Sequence, residues 1–160
     1  MRIGVISDTH IPERADKIPD KIIKAFKEVD MILHAGDLVE ISVYDELKKI
    51  KPTKAVYGNM DPPEVRKILE DKEIIEVGRY KLGLIHGWGH PAKLLDLAKS
   101  RFNEKLDIIV FGHSHHPVNE ERGGILFFNP GSPTDKIFSA VNTYGILEIG
   151  NTIKGEIIKI

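Results

Sequence analysis

The chain has 160 residues, of which 23 are basic and 24 acidic, so its formal net charge is -1. A chain of this length fits one domain over residues 1–160, and its balanced charge argues against tight nonspecific binding to nucleic acid. Cysteine is absent, which excludes thiolate metal sites, and no apolar run approaches the ~20 residues of a membrane-spanning helix. We therefore expect a cytoplasmic globular protein with no membrane partner.

The first half of the chain alternates short β-branched apolar runs with helical patterns. Strands are predicted over residues 3–6, 31–33 and 53–57. One helix is predicted after Pro19, and a second opens at Ser42 with Asp45 as its partner in a capping box. This order predicts a parallel sheet, in which the loops at the carboxyl ends of the strands are available for chemistry.

The second half of the chain predicts further strands and one more helix. Strands are expected over residues 73–77, 79–85, 107–111, 126–128, 144–149 and 153–160. The helix is expected to begin near Pro91, and Gly123-Gly124 indicates a hairpin turn. The strands of the tail are interpreted as antiparallel members of a second sheet. The chain is therefore predicted to be α/β, with a parallel half and an antiparallel half.

Polar side chains that can bind a metal follow five of the predicted strands. In chain order they are Asp8 and His10, Asp37, Asn59, His86, and His113 with His115. Residues two apart in an extended segment point the same way, so a pair such as Asp8 and His10 can converge on one ion. Each motif alone is common in ordinary turns, but the ordered set at five strand ends favours a metal site.

This ordered set resembles the signature of the calcineurin-like metallophosphoesterase superfamily, and is most similar to its small prokaryotic single-domain phosphodiesterases. The resemblance implies a four-layer αββα sandwich of two mixed β-sheets flanked by helices. It also implies two divalent ions, one held by Asp8, His10 and His115 and the other by Asn59, His86 and His113, with Asp37 as the bridge between them. Mixed imidazole and carboxylate ligands suit manganese, which we expect, or Ni, Fe, Zn or Co.

The expected reaction is hydrolysis of a small phosphodiester by a hydroxide that bridges two cations about 3.5 to 4 Å apart. Many superfamily phosphatases have a proton-donating His directly after Gly-Asn, but this chain has Met60 there. We therefore expect phosphodiesters to be preferred over phosphomonoesters, and good leaving groups over poor ones, unless His90 or Asp61 supplies the proton. The residues predicted to take part in catalysis are Asp37, Asn59, His86 and His90.

Several other polar residues have weaker or ambiguous interpretations. His34 is expected to fix the Asp37 loop rather than bind metal, and His116 to point away from its neighbours in the sequence. Arg14 and Arg122 could steer an anion, but isolated loop arginines are usually solvated, so neither is assigned a role. Asn129 and Ser132, beside a Pro-Gly turn, either hold a phosphate or belong to an ordinary turn.

Two other functions stay open at this point. One is a protein-binding scaffold that resembles the retromer subunit of the same fold, and the other is a nuclease, because larger relatives cut DNA through the same metal pair. The complete ligand set favours catalysis over a scaffold. The near-neutral charge and the lack of an evident DNA-binding extension favour a small substrate over DNA. Whether the chain forms a homo-oligomer also stays open.

Overall fold

The protein, described over residues 1–160 in a computed structural model, contains ten strands and four α-helices. The strands are β1 (Arg2–Ile6), β2 (Met31–His34), β3 (Thr53–Ala55), β4 (Lys72–Val77), β5 (Tyr80–Ile85), β6 (Ile108–Val110), β7 (Val118–Arg122), β8 (Ile125–Asn129), β9 (Thr143–Ile149) and β10 (Ile153–Lys159). The helices are α1 (Asp20–Phe26), α2 (Ile41–Ile50), α3 (Pro63–Arg66) and α4 (Leu94–Ser100), and a 3-10 turn over Pro91–Lys93 leads into α4. The order of elements is that of an α/β protein.

The first sheet has the strand order β10-β9-β1-β2-β3. Strands β1, β2 and β3 are parallel, as predicted, and α1 and α2 connect them. Each of these helices buries two side chains four residues apart, Ile22 with Phe26 and Val43 with Leu47, which is the spacing that places both on one face. The α/β half therefore forms as the hydrophobic pattern predicts.

The last two strands correct one prediction, because β9 and β10 belong to the first sheet and not to the second. Strand β9 pairs antiparallel with β1, and β10 pairs antiparallel with β9. The reason lies in burial: the first five residues of β9 are all buried, so this strand needs packing on both faces and a partner at each edge. The free edge of β1 supplies that position.

The second sheet has the strand order β4-β5-β6-β8-β7. Its three central strands are parallel, and the edge strands β4 and β7 are antiparallel to their neighbours. The Gly123-Gly124 hairpin joins β7 to β8 as predicted, and both glycines have positive φ. Both sheets are therefore mixed.

The two sheets pack face to face, and helices cover their outer faces. Side chains from both sheets, including Val5, Leu33, Leu84, Val110 and Phe128, form one buried apolar cluster. A second cluster lies under α1 and α2, and a third under α4. This arrangement confirms the four-layer αββα sandwich.

The start of α2 differs from the predicted capping box. The helix begins at Ile41, one residue earlier, and the residue before it, Glu40, makes no capping hydrogen bond through its side chain. The Ser42 hydroxyl donates instead to the Glu40 carboxylate at 3.0 Å. The longest helix has 10 residues, and none is both long and apolar enough to cross a bilayer.

Candidate metal centre

The loops that follow five strands meet at one edge of the sandwich. Backbone hydrogen bonds hold them side by side: Asp8 donates to the Gly36 carbonyl, His10 to the Asp37 carbonyl and Gly112 to the His86 carbonyl, each at 3.0 Å. The first two bonds join the loops after β1 and β2, and the third joins the loops after β5 and β6. All seven candidate ligands lie in these loops or in the loop after β3.

Five candidate ligands have a left-handed backbone: Asp8, His10, Asp37, His113 and His115. They are five of the six residues other than glycine with positive φ, which range from 43° to 74°. This conformation is strained for residues with a side chain, and such strain concentrates at functional sites. It also corrects the assumption of an extended backbone. Asp8 and His10 still converge, but His113 and His115 turn toward different groups of ligands.

The first group consists of Asp8, His10 and His115, the three residues that the family resemblance implies for one ion. The Nε2 atoms of His10 and His115 are 3.2 Å apart, and His115 Nε2 lies 3.4 Å from Asp8 Oδ1. Asp8 and His10 are buried, and so is His115. Three donor atoms thus face one point.

The second group consists of Asn59, His86 and His113, beside Asp37. Asn59 Oδ1 lies 3.2 Å from His86 Nε2 and 3.0 Å from His113 Nδ1. Asp37 Oδ2 is 3.3 Å from His86 Nε2 and 3.7 Å from His10 Nε2. One carboxylate oxygen therefore lies between the two groups.

Hydrogen bonds to the far nitrogen of three imidazoles fix which nitrogen faces the centre. His86 Nδ1 lies 2.7 Å from the Ala35 carbonyl, His115 Nδ1 lies 2.6 Å from Asp135 Oδ2, and His113 Nε2 lies 3.1 Å from the Gly89 carbonyl. Because carbonyl and carboxylate oxygens only accept, these nitrogens carry the protons. The opposite nitrogens then present lone pairs to a cation.

Buried carboxylates favour positive charge on two imidazoles of the centre. Burial opposes protonation of His86, but Asp37 and Asp8 outweigh it and raise the pKa of His86 to about 9. Burial likewise opposes protonation of His115, yet Asp8 and Asp135 raise its pKa to about 9. The buried carboxylates therefore require positive charge, which a cation supplies as well as a proton does.

The donor set fits divalent cations. Two ligand atoms on one ion lie roughly 3 to 3.5 Å apart when each metal bond is about 2.0 to 2.2 Å long. The neighbouring donor atoms within each group, and Asp37 Oδ2 with His86 Nε2, are 3.0 to 3.4 Å apart, and Asp37 Oδ2 lies 3.7 Å from His10 Nε2. Nitrogen and oxygen donors of this kind suit first-row transition metals.

Comparisons with known proteins agree with this geometry. A family model described as the calcineurin-like phosphoesterase superfamily domain matches residues 1–152. The chain belongs to this superfamily. It is 39% identical to a probable metallophosphoesterase from Methanothermobacter thermautotrophicus over 137 residues, which cover 84% of this chain and 78% of the relative. The expected family is therefore confirmed, and membership implies bound divalent metals.

Two other relatives are informative. A phosphodiesterase from Methanocaldococcus jannaschii is 30% identical over 165 residues, covering 92% of this chain and 93% of the relative. The crystal structure of Vps29 from Entamoeba histolytica complexed with Zn²⁺ has a TM-score of 0.77 and 27% identity, and the match covers 99% of both chains. The fold is thus shared with metallophosphoesterases and with Vps29.

Two buried carboxylates support the centre from behind: Asp135, which the sequence analysis missed, and Asp61, which it named only as a possible proton donor. Asp135 holds His115, as described above, and also accepts the backbone N–H groups of Ile137 and Phe138. Asp61 accepts the backbone N–H groups of Asp37, Val39 and Gly58 at 2.7 to 2.9 Å. Because both Asp61 oxygens already accept from the backbone, we infer that it shapes the Asp37 loop and does not donate a proton.

Four polar residues lie apart from the ligand groups. His90 is exposed, and its Nδ1 accepts the Ala92 N–H at the start of the 3-10 turn. His116 contributes to a cavity wall beside the ligands, so it does not point away as expected, since the backbone here is not extended. Asn129 and Ser132 are buried, and they hydrogen-bond to the Gly112 and Asp8 carbonyls. This supports a structural role for both rather than phosphate binding.

His34 supports the Asp37 loop and should make the stability of the metal-free protein depend on pH. Its Nδ1 accepts the Gly36 N–H at 3.1 Å, and burial lowers the pKa of His34 to about 3. The unfolded chain binds a proton at this residue below about pH 6.5, whereas the folded chain does not until about pH 3. Neutral His34 therefore makes its full contribution to the free energy of unfolding above pH 6.5. That contribution falls by about 1.4 kcal/mol for each pH unit below this value.

The measurement is urea unfolding with a chelator present, between pH 7 and pH 5, for the wild type and for His34→Asn. Asparagine can keep an acceptor near the Nδ1 position but does not titrate. The free energy of unfolding of the variant should fall less than that of the wild type by about 2 kcal/mol across this range. Parallel curves would show that His34 is not the titrating group.

Proposed function

We propose that the chain, as one domain over residues 1–160, is a dinuclear metal-dependent phosphodiesterase that hydrolyses a small phosphodiester. One observation supports it above the others: Asp37 Oδ2 lies within 3.7 Å of both His10 Nε2 and His86 Nε2. A single oxygen in that position can ligate two cations at once. The relative from Methanocaldococcus jannaschii that is named a phosphodiesterase gives the reaction class.

The chain's own residues would hold and orient the reacting groups. When bound, two cations, with manganese expected, supply an activated water and stabilise the charge of an in-line displacement. Asp8 and Asp37 are buried and provide the negative charge that retains the cations. Asn59 is exposed and uncharged, so the centre is open to substrate on its side and does not repel an anion there. This arrangement suits a phosphodiester that approaches past Asn59 and His113.

Proton transfer to the leaving group requires a donor beside the metal centre. Met60 cannot donate a proton, and His90 is the residue proposed for that role because it lies in the loop after β5 that also carries His86. To act as an acid, His90 would have to release the Ala92 N–H from its Nδ1, so that both ring nitrogens can carry protons. We expect His90→Ala to slow hydrolysis of diesters with alkyl leaving groups by about 10²-fold. Diesters with a 4-nitrophenyl leaving group should be nearly unaffected.

His116→Ala is the matched comparison, since His116 is another exposed histidine and lines the cavity beside the candidate ligands. The slope of log kcat against leaving-group pKa should steepen in His90→Ala and stay as in the wild type in His116→Ala. The opposite pattern would assign the proton to His116, and unchanged slopes in both would mean that neither residue donates it.

The two other candidate functions have less support from the site. A protein-binding scaffold does not require five strained ligand residues at one centre, and the likeness to Vps29 is a likeness of fold at 27% identity. A nuclease needs a basic surface, whereas the chain has a formal net charge of -1.

The test of the proposed function is a metal-by-substrate screen of the purified protein. Mn²⁺, Ni²⁺, Co²⁺ and Zn²⁺ would each be combined with bis(4-nitrophenyl) phosphate, with 4-nitrophenyl phosphate and with a DNA duplex. We expect the diester to be hydrolysed faster than the monoester, and the duplex to remain intact. Faster hydrolysis of the monoester, or no hydrolysis with any metal, would contradict the proposal.

A further inference from the structure

A cavity of about 480 Å³ lies against the candidate metal centre. Five of the seven candidate ligands line it, and they give one side of the cavity a polar, charged character. Met60 and Phe138 also line it, although their side chains are 51% and 60% exposed. Large apolar side chains left open to solvent beside a polar centre are typical of a ligand-binding surface.

Phe138 is held in place by the same residue that orients a candidate ligand. Its backbone N–H donates to Asp135 Oδ2 at 3.1 Å, and this oxygen also lies 2.6 Å from His115 Nδ1. The Phe138 ring meets the His115 ring edge-on, with 5.8 Å between centroids and 76° between planes. These contacts place the aromatic ring beside the candidate metal centre, with much of its surface open to solvent.

Two further residues suit the cavity to an aromatic group that is attached to an anion. Met60 lines the cavity, and a thioether packs well against aromatic rings. The Arg14 guanidinium carbon lies 5.8 Å from the centre of the Phe138 ring and lines the same cavity. Arg14 thus adds positive charge next to the apolar wall.

We propose that Phe138 and Met60 form a subsite for the aromatic substituent of a phosphoester whose phosphoryl group lies on the metal pair. This inference rests on the proposed function for the position of the phosphoryl group. An aryl or nucleobase ring stacks on Phe138 and contacts Met60, while Arg14 faces the anionic part of the ligand. Substrates with an aromatic substituent therefore bind more tightly than alkyl analogues.

The test is calorimetric binding of two phosphonates, which are not hydrolysed, to the Mn²⁺-loaded protein. Phenylphosphonate carries the aromatic ring, and methylphosphonate reports binding of the anionic group alone. We expect the wild type to bind the phenyl compound about tenfold more tightly. Phe138→Ala should reduce this preference to about twofold or less. Met60→Ala should reduce the preference by a factor of about three.

Ile137→Ala is the matched control, since Ile137 is on the same loop and 66% exposed but does not line the cavity. Its phenyl preference should equal that of the wild type. Phe138→Leu, which keeps an apolar side chain without the ring, should have an intermediate preference. Because the result is a ratio of two ligands on one protein, a variant with altered metal affinity still gives an interpretable value.

The subsite is contradicted if the wild type shows no phenyl preference, if neither phosphonate binds, or if Phe138→Ala keeps the wild-type ratio. Hydrolysis of bis(4-nitrophenyl) phosphate by the wild type is measured separately. A protein that binds phenylphosphonate selectively but hydrolyses no diester would refute the proposed function and leave the subsite standing. If the wild type hydrolyses the diester but Phe138→Ala keeps the wild-type preference for phenylphosphonate, the subsite would be refuted and the proposed function would stand.

Discussion

Asp37→Asn is expected to lower kcat for phosphodiester hydrolysis by at least about 10³-fold, because it removes the charge between the two ligand groups. The substitution conserves volume. Asparagine can also keep the acceptor for the Met60 N–H, which lies 2.7 Å from Asp37 Oδ1. The measurement is the initial rate with bis(4-nitrophenyl) phosphate at saturating metal.

The control for Asp37→Asn is Asp96→Asn. The Asp96 side chain is 78% exposed, and its Oδ1 atom lies 3.6 Å from Nη1 of Arg122. Its rate should match the wild type. Unfolding curves in the presence of a chelator would establish that Asp37→Asn is still folded. A folded Asp37→Asn protein with more than about a tenth of the wild-type rate would argue against a bridging role for Asp37.

Asp135→Asn is expected to weaken binding of one of the two cations by about 10- to 100-fold. The carboxylate lies 2.6 Å from His115 Nδ1 and so sets which nitrogen of His115 faces Asp8 and His10. Calorimetric titration of the metal-free protein with Mn²⁺ should resolve a tight step that is retained and a weaker step that is shifted.

The retained binding step distinguishes a loss of His115 orientation from a general loss of structure. The Asp135 carboxylate makes its hydrogen bonds with His115, Ile137 and Phe138 and with none of Asn59, His86 and His113. The affinity for a cation held by those three residues should therefore change by less than about threefold. Equal weakening of both steps would mean that Asp135 supports the whole fold. Two unchanged steps would mean that its contact with His115 does not affect metal binding.

The clustering of the seven candidate ligands could be predicted from the sequence because each motif directly follows an apolar strand. The carboxyl ends of neighbouring parallel strands meet at one edge of the sheet. The order of motifs along the chain was therefore enough to predict that Asp8, Asp37 and Asn59 lie close together. The fold class was accessible for the same reason, since the alternating β-branched runs and helical patterns define the parallel half.

Other features depend on tertiary contacts that local patterns do not carry. The apolar run of β9 fits either sheet, and only the free edge of β1 determines which one it joins. The left-handed backbone at His113 and His115 follows from packing against other loops, so side-chain alternation misjudged their directions. Asp135 lies 20 residues from His115 and forms no recognisable motif with it.

The central claim, a pair of cations bridged by Asp37, is tested most directly by titrating metal-free protein with Mn²⁺ while bound metal and diester hydrolysis are measured together. We predict two ions per chain in the wild type, with hydrolysis that follows occupancy of the second ion. One ion per chain at full activity, or full activity with a chelator in excess, would contradict the account.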